Sequence, residues 1–394
     1  MTSVIGANIK RLREERGWTQ TRLGREACRV AGMAGAPVGP QEISRYEKGR
    51  RTPREWLPFL AEALGVSVRT LKEPHTPMEA TIRGLADGDA VCGDGFAPTI
   101  RSISSRLIAL DNAMLGLPIA DAAVRSFKVV HHRLGKGDYA ADQQRDIQAA
   151  AAELAEIAGW ALFNEGKFGA SRRFSQEALY LAGLSGDRSI ELLTLQNLGM
   201  LAGWTGRPRE ELAIARTVLD RGRLTPRVEA MFRAREAQGL SGTGSGTEAA
   251  ESFARARALL QESTARDEPH WAWWVSAREI DRQQGRALHE AEAWHEAIPP
   301  LERAMQDEPD AHVGYQNVAA VRLLDSLIAV RSWRTAESEA EKLIPALGEM
   351  SSIATLNILD RAANRGRAMT DAPSGLRDAL DHISKRISED PYEI

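Results

Sequence analysis

The sequence predicts an all-α protein, in which a small basic domain is followed by an α-solenoid of helical hairpins. Apolar residues recur at helical spacing, no convincing strand pattern interrupts them, and glycines return at an interval of forty residues in the middle of the chain. The chain has 394 residues, enough for two or three domains. We expect the first domain over 1–72, a linker rich in glycine and aspartate over 73–98, and the repeats over 99–392.

Charge is divided unevenly between the two predicted domains. The whole chain has a net charge of −3, but residues 1–72 hold fourteen Lys or Arg against seven Asp or Glu. The rest of the chain therefore carries 37 basic and 47 acidic side chains. A basic domain beside an acidic one indicates a polyanionic partner for the first domain only.

Composition argues against several classes of protein. No apolar run approaches the roughly 18 residues of a membrane span, and the N-terminus lacks the apolar core of a signal peptide. Two cysteines, Cys28 and Cys92, are too few for a disulfide framework or a four-cysteine zinc site. We expect a cytoplasmic protein without a cofactor, a metal ion or a membrane partner.

The first domain begins with two short amphipathic helices. Ile5, Ile9 and Leu12 fall on one face of the first helix. We expect this helix to end at Gly17, because glycine is a common helix stop. Thr19 has a side chain typical of an N-cap and opens the second helix.

The third helix, within "QEISRYEKGRRTP", has two different faces. At about 100° per residue, Ile43 and Glu47 point towards the domain. The opposite face carries three hydrogen-bonding side chains, Gln41, Glu42 and Arg45. This arrangement is typical of a helix that touches base edges, and Gly49 is placed to end it.

A fourth helix is predicted from "TPRE". Thr52 as the N-cap, Pro53 at the first helical position and Glu55 three residues after the cap make a capping box. Pro58 is awkward inside such a helix, which indicates a bend or a later start.

The pattern "WTQ…L…ISRYEKGRRTP…LAEALGVS" resembles the helix-turn-helix domain of lambda-repressor-like, XRE-type regulators, over about residues 3–72. The resemblance implies a five-helix DNA-binding domain whose third helix lies in the major groove, while the start of the second helix grips the backbone. By position it implies base contacts from Gln41, Glu42 and Arg45, a phosphate contact from Gln20, and a backbone-facing Ser44. It also implies an ion pair between Arg13 and Glu47 that ties the first helix to the third.

The chemistry of these side chains suits those roles. Arg can bind guanine through two hydrogen bonds, Gln can pair with adenine, and Glu can accept from cytosine. Lys48, Arg50 and Arg51 follow the helix end, where phosphates would pass, and would supply affinity rather than sequence choice. The alternative for these three is a solvated loop. One departure from the family is the long turn "CRVAGMAGAPVGP", whose loop over 32–40 either reaches the DNA or lengthens the second helix.

The second part of the chain contains repeated helical hairpins. "AGWALFNEGKFGASRRFSQEAL" and "LGMLAGWTGRPREELAIARTVL" align with a shift of forty residues, which matches Gly159 and Gly166 to Gly199 and Gly206. Gly239 and Gly246 continue that shift in a looser third copy. Positions spaced by four then three in the second helices are mostly small or apolar: Ser171, Ser175, Ala178; Glu211, Ala215, Val218; Ala297, Leu301, Ala304; Ala336, Ala340, Leu343. Such hairpins must stack, because one hairpin cannot bury its apolar face alone.

These hairpins resemble tetratricopeptide repeats of a degenerate kind. "LDNAMLG" followed by "GWALFNEGKFGASRRF" resembles the body of actinobacterial regulators that join a helix-turn-helix domain to tetratricopeptide-like helices. The resemblance implies a sensor and dimerisation domain that receives a peptide, a small molecule or a protein effector.

"HWAWWVSAREIDRQQG" supplies the candidate effector site. As one helix it would place Trp271 and Trp274 on one face and Trp273 about 140° from Trp271, so that at least one of the three faces the concave groove. An aromatic groove suits a peptide or an apolar effector. The alternative is that all three pack in the core or between repeats.

No nucleophile elbow, phosphate loop or metal-ligand spacing predicts catalysis, so we expect no enzyme. The sequence predicts instead a sequence-specific transcriptional regulator, cytoplasmic and nucleoid-associated, that binds an inverted-repeat operator in double-stranded DNA as a homodimer. The alternative is a tetratricopeptide-type interaction scaffold whose first domain binds DNA weakly or without sequence preference.

Overall fold

The computed structural model describes residues 4–16, 18–33, 38–64, 66, 68–72, 95–113, 119–137, 139–263, 268–306, 313–350 and 352–388. Within these ranges every regular element is helical, which confirms the predicted fold class. The chain divides into two compact units, Met1–Gly84 and Leu85–Ile394. Most of the predicted linker over 73–98 lies outside the described residues, and its last residues belong to a helix that begins at Phe96.

Five helices build the described part of the N-terminal unit. They are α1 (Val4–Glu15), α2 (Gln20–Val30), α3 (Pro40–Glu47), α4 (Leu57–Ala63) and α5 (Val68–Lys72). Their apolar faces meet in one core, in which Ile9, Leu23, Ile43 and Leu60 are fully buried. Gly6 allows α1 to approach the end of α3 closely, because a Cβ at this position would collide with the carbonyl oxygen of Tyr46.

The helix ends in this unit follow the local sequence in two of three cases. Thr19 caps α2, since its hydroxyl accepts a hydrogen bond from the Arg22 amide at 3.1 Å. Gly49 follows α3 with a φ of 69°, the left-handed conformation of a glycine helix stop. The capping box at Thr52 is wrong: α4 begins at Leu57, which leaves Pro58 in the first turn, where its missing amide proton costs nothing. The predicted stop at Gly17 lies outside the described residues.

The second unit is an array of helical hairpins. It opens with α6 (Phe96–Ala113) and α7 (Ala120–Lys136). Five hairpins follow in the described residues: α8 (Gln144–Asn164) with α9 (Phe168–Ser185), α10 (Arg188–Trp204) with α11 (Pro208–Arg221), α12 (Pro226–Gly242) with α13 (Gly246–Glu262), α14 (Ala277–Glu290) with α15 (Trp294–Ala304), and α16 (Val313–Ala329) with α17 (Trp333–Ala346). The array ends with α18 (Ile353–Ala368) and α19 (Ser374–Ser388).

The same tight turn joins the two helices of every one of these five hairpins. Each turn contains one residue with positive φ, namely Gly166, Gly206, Gly244, Glu292 and Arg331. The Gly166 amide donates to the Phe163 carbonyl and the next amide donates to Leu162, both at 2.9 Å, and the other four turns repeat this pair of bonds. The structural repeat is therefore carried by the turn, although two of the five turns have no glycine at that position.

The third copy of the repeat differs from its predicted alignment. The left-handed residue is Gly244, two residues before Gly246, which begins α13. Gly239 lies within α12, where a Cβ would come 2.7 Å from the Leu212 amide nitrogen. This glycine allows α12 and α11 to touch, and its match to Gly159 and Gly199 is fortuitous.

The small or apolar positions predicted for the second helices are all buried. The first position of each set lies five residues after the left-handed residue of its turn and faces the partner helix. Ala297 and Ala336 are fully buried at this position. Gly159 shows how close the pairing is, because a Cβ on it would lie 2.9 Å from the Ser175 hydroxyl. Helix pairing therefore follows from side-chain volume at these positions.

Candidate nucleic-acid interface

Helix α3 has an inner face and an outer face, as its periodicity predicts. Ile43, Tyr46 and Glu47 are buried against the N-terminal unit. Gln41 and Arg45 are exposed on the other side, whereas Glu42 and Ser44 are half-buried at the edges. The helix therefore presents long polar side chains from a rigid backbone whose position is fixed by the core beneath it.

The inner end of α3 is tied to the rest of the unit by a buried ion pair. Arg13 Nε donates to Glu47 Oε1 at 2.6 Å, and Arg13 Nη2 donates to Glu47 Oε2 at 3.2 Å. The hydrogen bond to Glu47 raises the pKa of Arg13, against the lowering effect of burial. Gln20 Nε2 donates to the same carboxylate at 2.8 Å. One side chain of α3 thus joins α1 and the start of α2, and this bond uses one of the two amide protons of Gln20.

The outer face of α3 carries an internal ion network that the sequence did not reveal. Glu42 accepts from Arg45 Nη1 through one oxygen and from Arg51 Nη1 through the other, the latter at 2.9 Å. Arg45 and Arg51 are 56% and 63% exposed, so these pairs are solvated and weak. A polyanion can therefore replace Glu42 as the partner of both arginines at little cost.

Basic side chains surround the same surface. Lys48 and Arg50 are exposed on either side of Gly49, directly after α3. A concavity of about 740 Å³ adjoins Lys48, between α1, the start of α2 and the end of α3. Its lining includes Lys10, Arg11 and Lys48, of which the first two were not predicted as site residues. Their signal was present only in the basic balance of the whole domain.

The long turn before α3 returns to the core rather than extending α2. Helix α2 ends at Val30, and Gly32 takes a φ of 66° directly after it. Val38 is buried in the core, and Gly24 makes room for its carbonyl group. The tip of the loop, residues 34–37, lies outside the described residues.

The tryptophan segment of the second unit does not form the predicted helix. Residues His270–Trp274 form a short 3₁₀ turn, and α14 begins only at Ala277 because Ser276 caps it, accepting from the Glu279 amide. In this turn Trp271 and Trp274 both pack on the core, and Trp271 Nε1 donates to the Ser189 hydroxyl at 2.9 Å. Trp273 is 51% exposed. Two of the three predicted effector residues therefore have a structural role.

Residues 4–73 match the family model described as a helix-turn-helix domain. The N-terminal unit is a helix-turn-helix domain. In it, α2 and α3 are the two helices that give the motif its name, and α3 is the one with the exposed polar face. No curated protein matches the chain. Among the described residues, no helix has both the length and the apolar character needed to cross a membrane.

Proposed function

We propose that the protein is a sequence-specific transcriptional regulator of the XRE type that acts on double-stranded DNA. The observation that carries this proposal is the outer face of α3, where Gln41 and Arg45 stand exposed on a helix-turn-helix domain with a basic rim. A recognition helix needs long polar side chains on a rigid helix that can enter the major groove. The proposal describes a binding protein and assigns the chain no catalysis.

The contacts divide into reading and positioning groups. We assign base edges to Gln41, Glu42 and Arg45, whose side chains can address adenine, cytosine and guanine respectively. Phosphate and backbone contacts fall to Gln20, Ser44, Lys48, Arg50 and Arg51. In the free protein Glu42 holds Arg45 and Arg51, so DNA binding exchanges these ion pairs for contacts with base and phosphate.

The second unit receives the signal and joins two chains in this proposal. One helix-turn-helix domain covers one half-site, so specific binding needs a homodimer on an inverted repeat, with half-sites about 34 Å apart or a multiple of that. The stacked hairpins, which we assign to the tetratricopeptide type, support a role in binding an effector. Tyr180 and Leu184, one turn apart on α9 and 62% and 46% exposed, support a protein interface on this unit.

The test is a selection of genomic fragments with the purified full-length protein. The best fragment is then titrated at two salt concentrations, beside a random fragment of the same length. We expect an inverted repeat, a specific affinity at least a thousandfold above the random fragment, by the roughly 10³ minimum typical of such proteins, and a steep salt dependence. A double variant, Gln41→Ala with Arg45→Ala, is the control that should lose the preference while retaining the salt dependence.

Shallow binding that is blind to sequence would contradict this function. It would favour the interaction scaffold, in which the hairpins dock a protein and the basic domain holds DNA weakly. The exposed apolar pair on α9 fits this second candidate equally well, because it can dock another protein as readily as a second copy of the chain.

A further inference from the structure

The first helices of three successive hairpins in the second unit each carry a deeply buried arginine. Arg235 on α12, Arg286 on α14 and Arg322 on α16 are 2%, 3% and 1% exposed. Burial is the largest influence on two of them, and it lowers the pKa of Arg235 to about 10 and that of Arg322 to about 9. Charged side chains at such depth require partners that replace the lost water.

Two carboxylates, Glu211 and Glu290, form ion pairs with these arginines, but together they do not neutralise the three charges. Glu211 lies 3.6 Å from Arg235, and burial raises the pKa of Glu211 to about 7, so that its charge is incomplete at neutral pH. Glu290 accepts from Arg286 Nε at 2.8 Å but lies 3.6 Å from Arg322 Nη2. Three guanidinium groups thus share two ion-paired carboxylates, one of them partly protonated, and Glu279 adds a further attractive interaction with Arg235.

Of the three arginines, Arg322 is the one that lacks hydrogen-bond partners in the described part of the chain. Arg235 is well served, because Gln196 accepts from its Nε and Nη2 and Gln238 accepts from its Nη1 at 2.9–3.1 Å. By contrast, Nε and Nη1 of Arg322 are buried and find no hydrogen-bond partner among the described residues. An arginine with two unmet donors is a costly feature in an unliganded interior.

The surroundings of Arg322 resemble a receptor for a flat anion. The guanidinium carbons of Arg286 and Arg322 lie 4.9 Å and 5.1 Å from the ring centroid of Trp204. The carboxylate of Glu290, beside them, is hydrogen-bonded to Arg286. The side chain of Glu290 is 47% exposed and flexible. Its carboxylate can therefore turn into solvent and leave the two arginines open to another carboxylate.

We propose that Arg286 and Arg322, beside Trp204, bind the carboxylate of a small organic ligand, and that Glu290 occupies the place of that carboxylate in the free protein. Guanidinium groups recognise a carboxylate through parallel N–H donors. On Arg322 the parallel pair is Nε with Nη2: Nε has no partner among the described residues, and Nη2 lies 3.6 Å from Glu290, so both are open to the carboxylate that takes the place of Glu290. A role for this ligand in regulating DNA binding rests on the proposed function. Binding of the ligand itself does not.

The experiment measures the thermal unfolding and calorimetric binding of the full-length chain with defined probes. The probes are acetate, succinate, citrate, benzoate, inorganic phosphate, and a random pentapeptide mixture with free or amidated C-termini, all at matched ionic strength with sodium chloride. We expect saturable binding of at least one carboxylate probe. Preference for the free over the amidated pentapeptides would place the carboxylate on a peptide, and binding of the small acids alone would place it on a metabolite.

Three variants decide the role of the arginines. Arg322→Met keeps most of the side-chain volume and removes the buried charge, so it is expected to fold and to bind the probe roughly tenfold or more weakly. Arg377→Met, at an exposed position on α19, is the matched control and should leave binding unchanged. Glu290→Gln removes the competing negative charge and should strengthen binding, an effect that a purely structural arginine would not produce.

Equal stabilisation by every sodium salt, saturable binding of phosphate alone, or undiminished binding by Arg322→Met would overturn the carboxylate site. The same ligand is then added to the titration of the selected DNA fragment, where a changed affinity shows that the site regulates DNA binding. Failure to find any specific fragment would remove the proposed function but leave the binding data intact.

Discussion

The two units place their arginines in opposite ways. In the helix-turn-helix domain Arg45 and Arg51 are more than half exposed, and the buried Arg13 has a complete set of partners around Glu47. In the hairpin array Arg235 and Arg322 are almost wholly buried, and the partners of Arg322 are incomplete. Exposed arginines that exchange partners cheaply suit a large polyanion, whereas a buried arginine with unmet donors suits one small anion.

The largest effect is expected from Glu47→Ala, which tests how far the helix-turn-helix domain depends on the buried ion pair between Arg13 and Glu47. The change removes the buried carboxylate partner of Arg13, leaving only the exposed Glu14, and leaves Gln20 without its acceptor, at a cost of about 3–5 kcal/mol. Hydrogen exchange of the α1 and α3 peptides in the full-length chain measures the loss. Glu14→Ala is the matched control, because Glu14 also reaches Arg13 at 3.2 Å but is 53% exposed. Its loss should stay below about 1 kcal/mol, and equal losses would contradict the interpretation.

The next largest effect is the pH dependence of the stability of the hairpin array, which tests a buried carboxyl group, that of Glu156. Burial is the main cause that raises the pKa of Glu156 from 4.5 to about 7, against a hydrogen bond from Asn197 that lowers it. Because the folded pKa lies above the unfolded one, the contribution of Glu156 to stability is complete below about pH 4.5 and is lost as pH rises through about 7. Between pH 5 and 8 this loss amounts to roughly 3 kcal/mol.

The variant Glu156→Gln removes the titration and keeps an oxygen that can accept from Asn197. We therefore expect its free energy of unfolding to fall less between pH 5 and 8 than that of the unaltered chain, measured by urea denaturation. Glu251→Gln, at an exposed position on α13, is the control and should leave the pH dependence unchanged. Parallel curves for all three proteins would show that Glu156 does not titrate in this range.

Local signals in the sequence predicted the helix-turn-helix domain better than the interior of the hairpin array. Thr19 as a cap and the two faces of α3 follow from neighbouring residues alone. The ionic interior could not be predicted, because an arginine at a helical position is usually solvated, and Arg322 becomes buried only when the hairpins stack. The prediction for Trp271 was wrong because it took the segment as one continuous helix, whereas the S-x-x-E pattern from Ser276 to Glu279 marks the N-cap of a new one.

A third, smaller effect separates reading from positioning on α3. Arg45→Ala should relax preference at one base pair by about 1–3 kcal/mol, because a two-donor contact to guanine is lost. Arg51→Ala should weaken all sequences alike and reduce the salt slope by about one. The two variants control for each other, since both arginines bind Glu42 in the free protein. Identical losses on the selected and the random fragment would show that the reading face is assigned to the wrong residues.

The smallest effect concerns the backbone, where the two units differ again. In the described residues of the helix-turn-helix domain, both residues with positive φ are glycines, Gly32 and Gly49. The hairpin turns also place Glu292 and Arg331 in this conformation. A side chain there crowds the following carbonyl, so Glu292→Gly should stabilise the array by about 1 kcal/mol, even though glycine loses more entropy on folding. Glu292 is exposed, so its side chain has little packing to lose, and urea denaturation should resolve the gain.

The control for this change lies four residues further along. Glu296, exposed in the first turn of α15, has ordinary helical geometry, so Glu296→Gly should destabilise the array by about 1 kcal/mol. The same substitution thus has opposite signs at two neighbouring surface positions if the left-handed turn is what recurs between hairpins. Destabilisation by both would mean that the Glu292 side chain supports its turn, and that the glycines at Gly166, Gly206 and Gly244 mark a different requirement. Stabilisation at Glu292 alone would show that the array repeats a backbone geometry that its sequence only partly encodes.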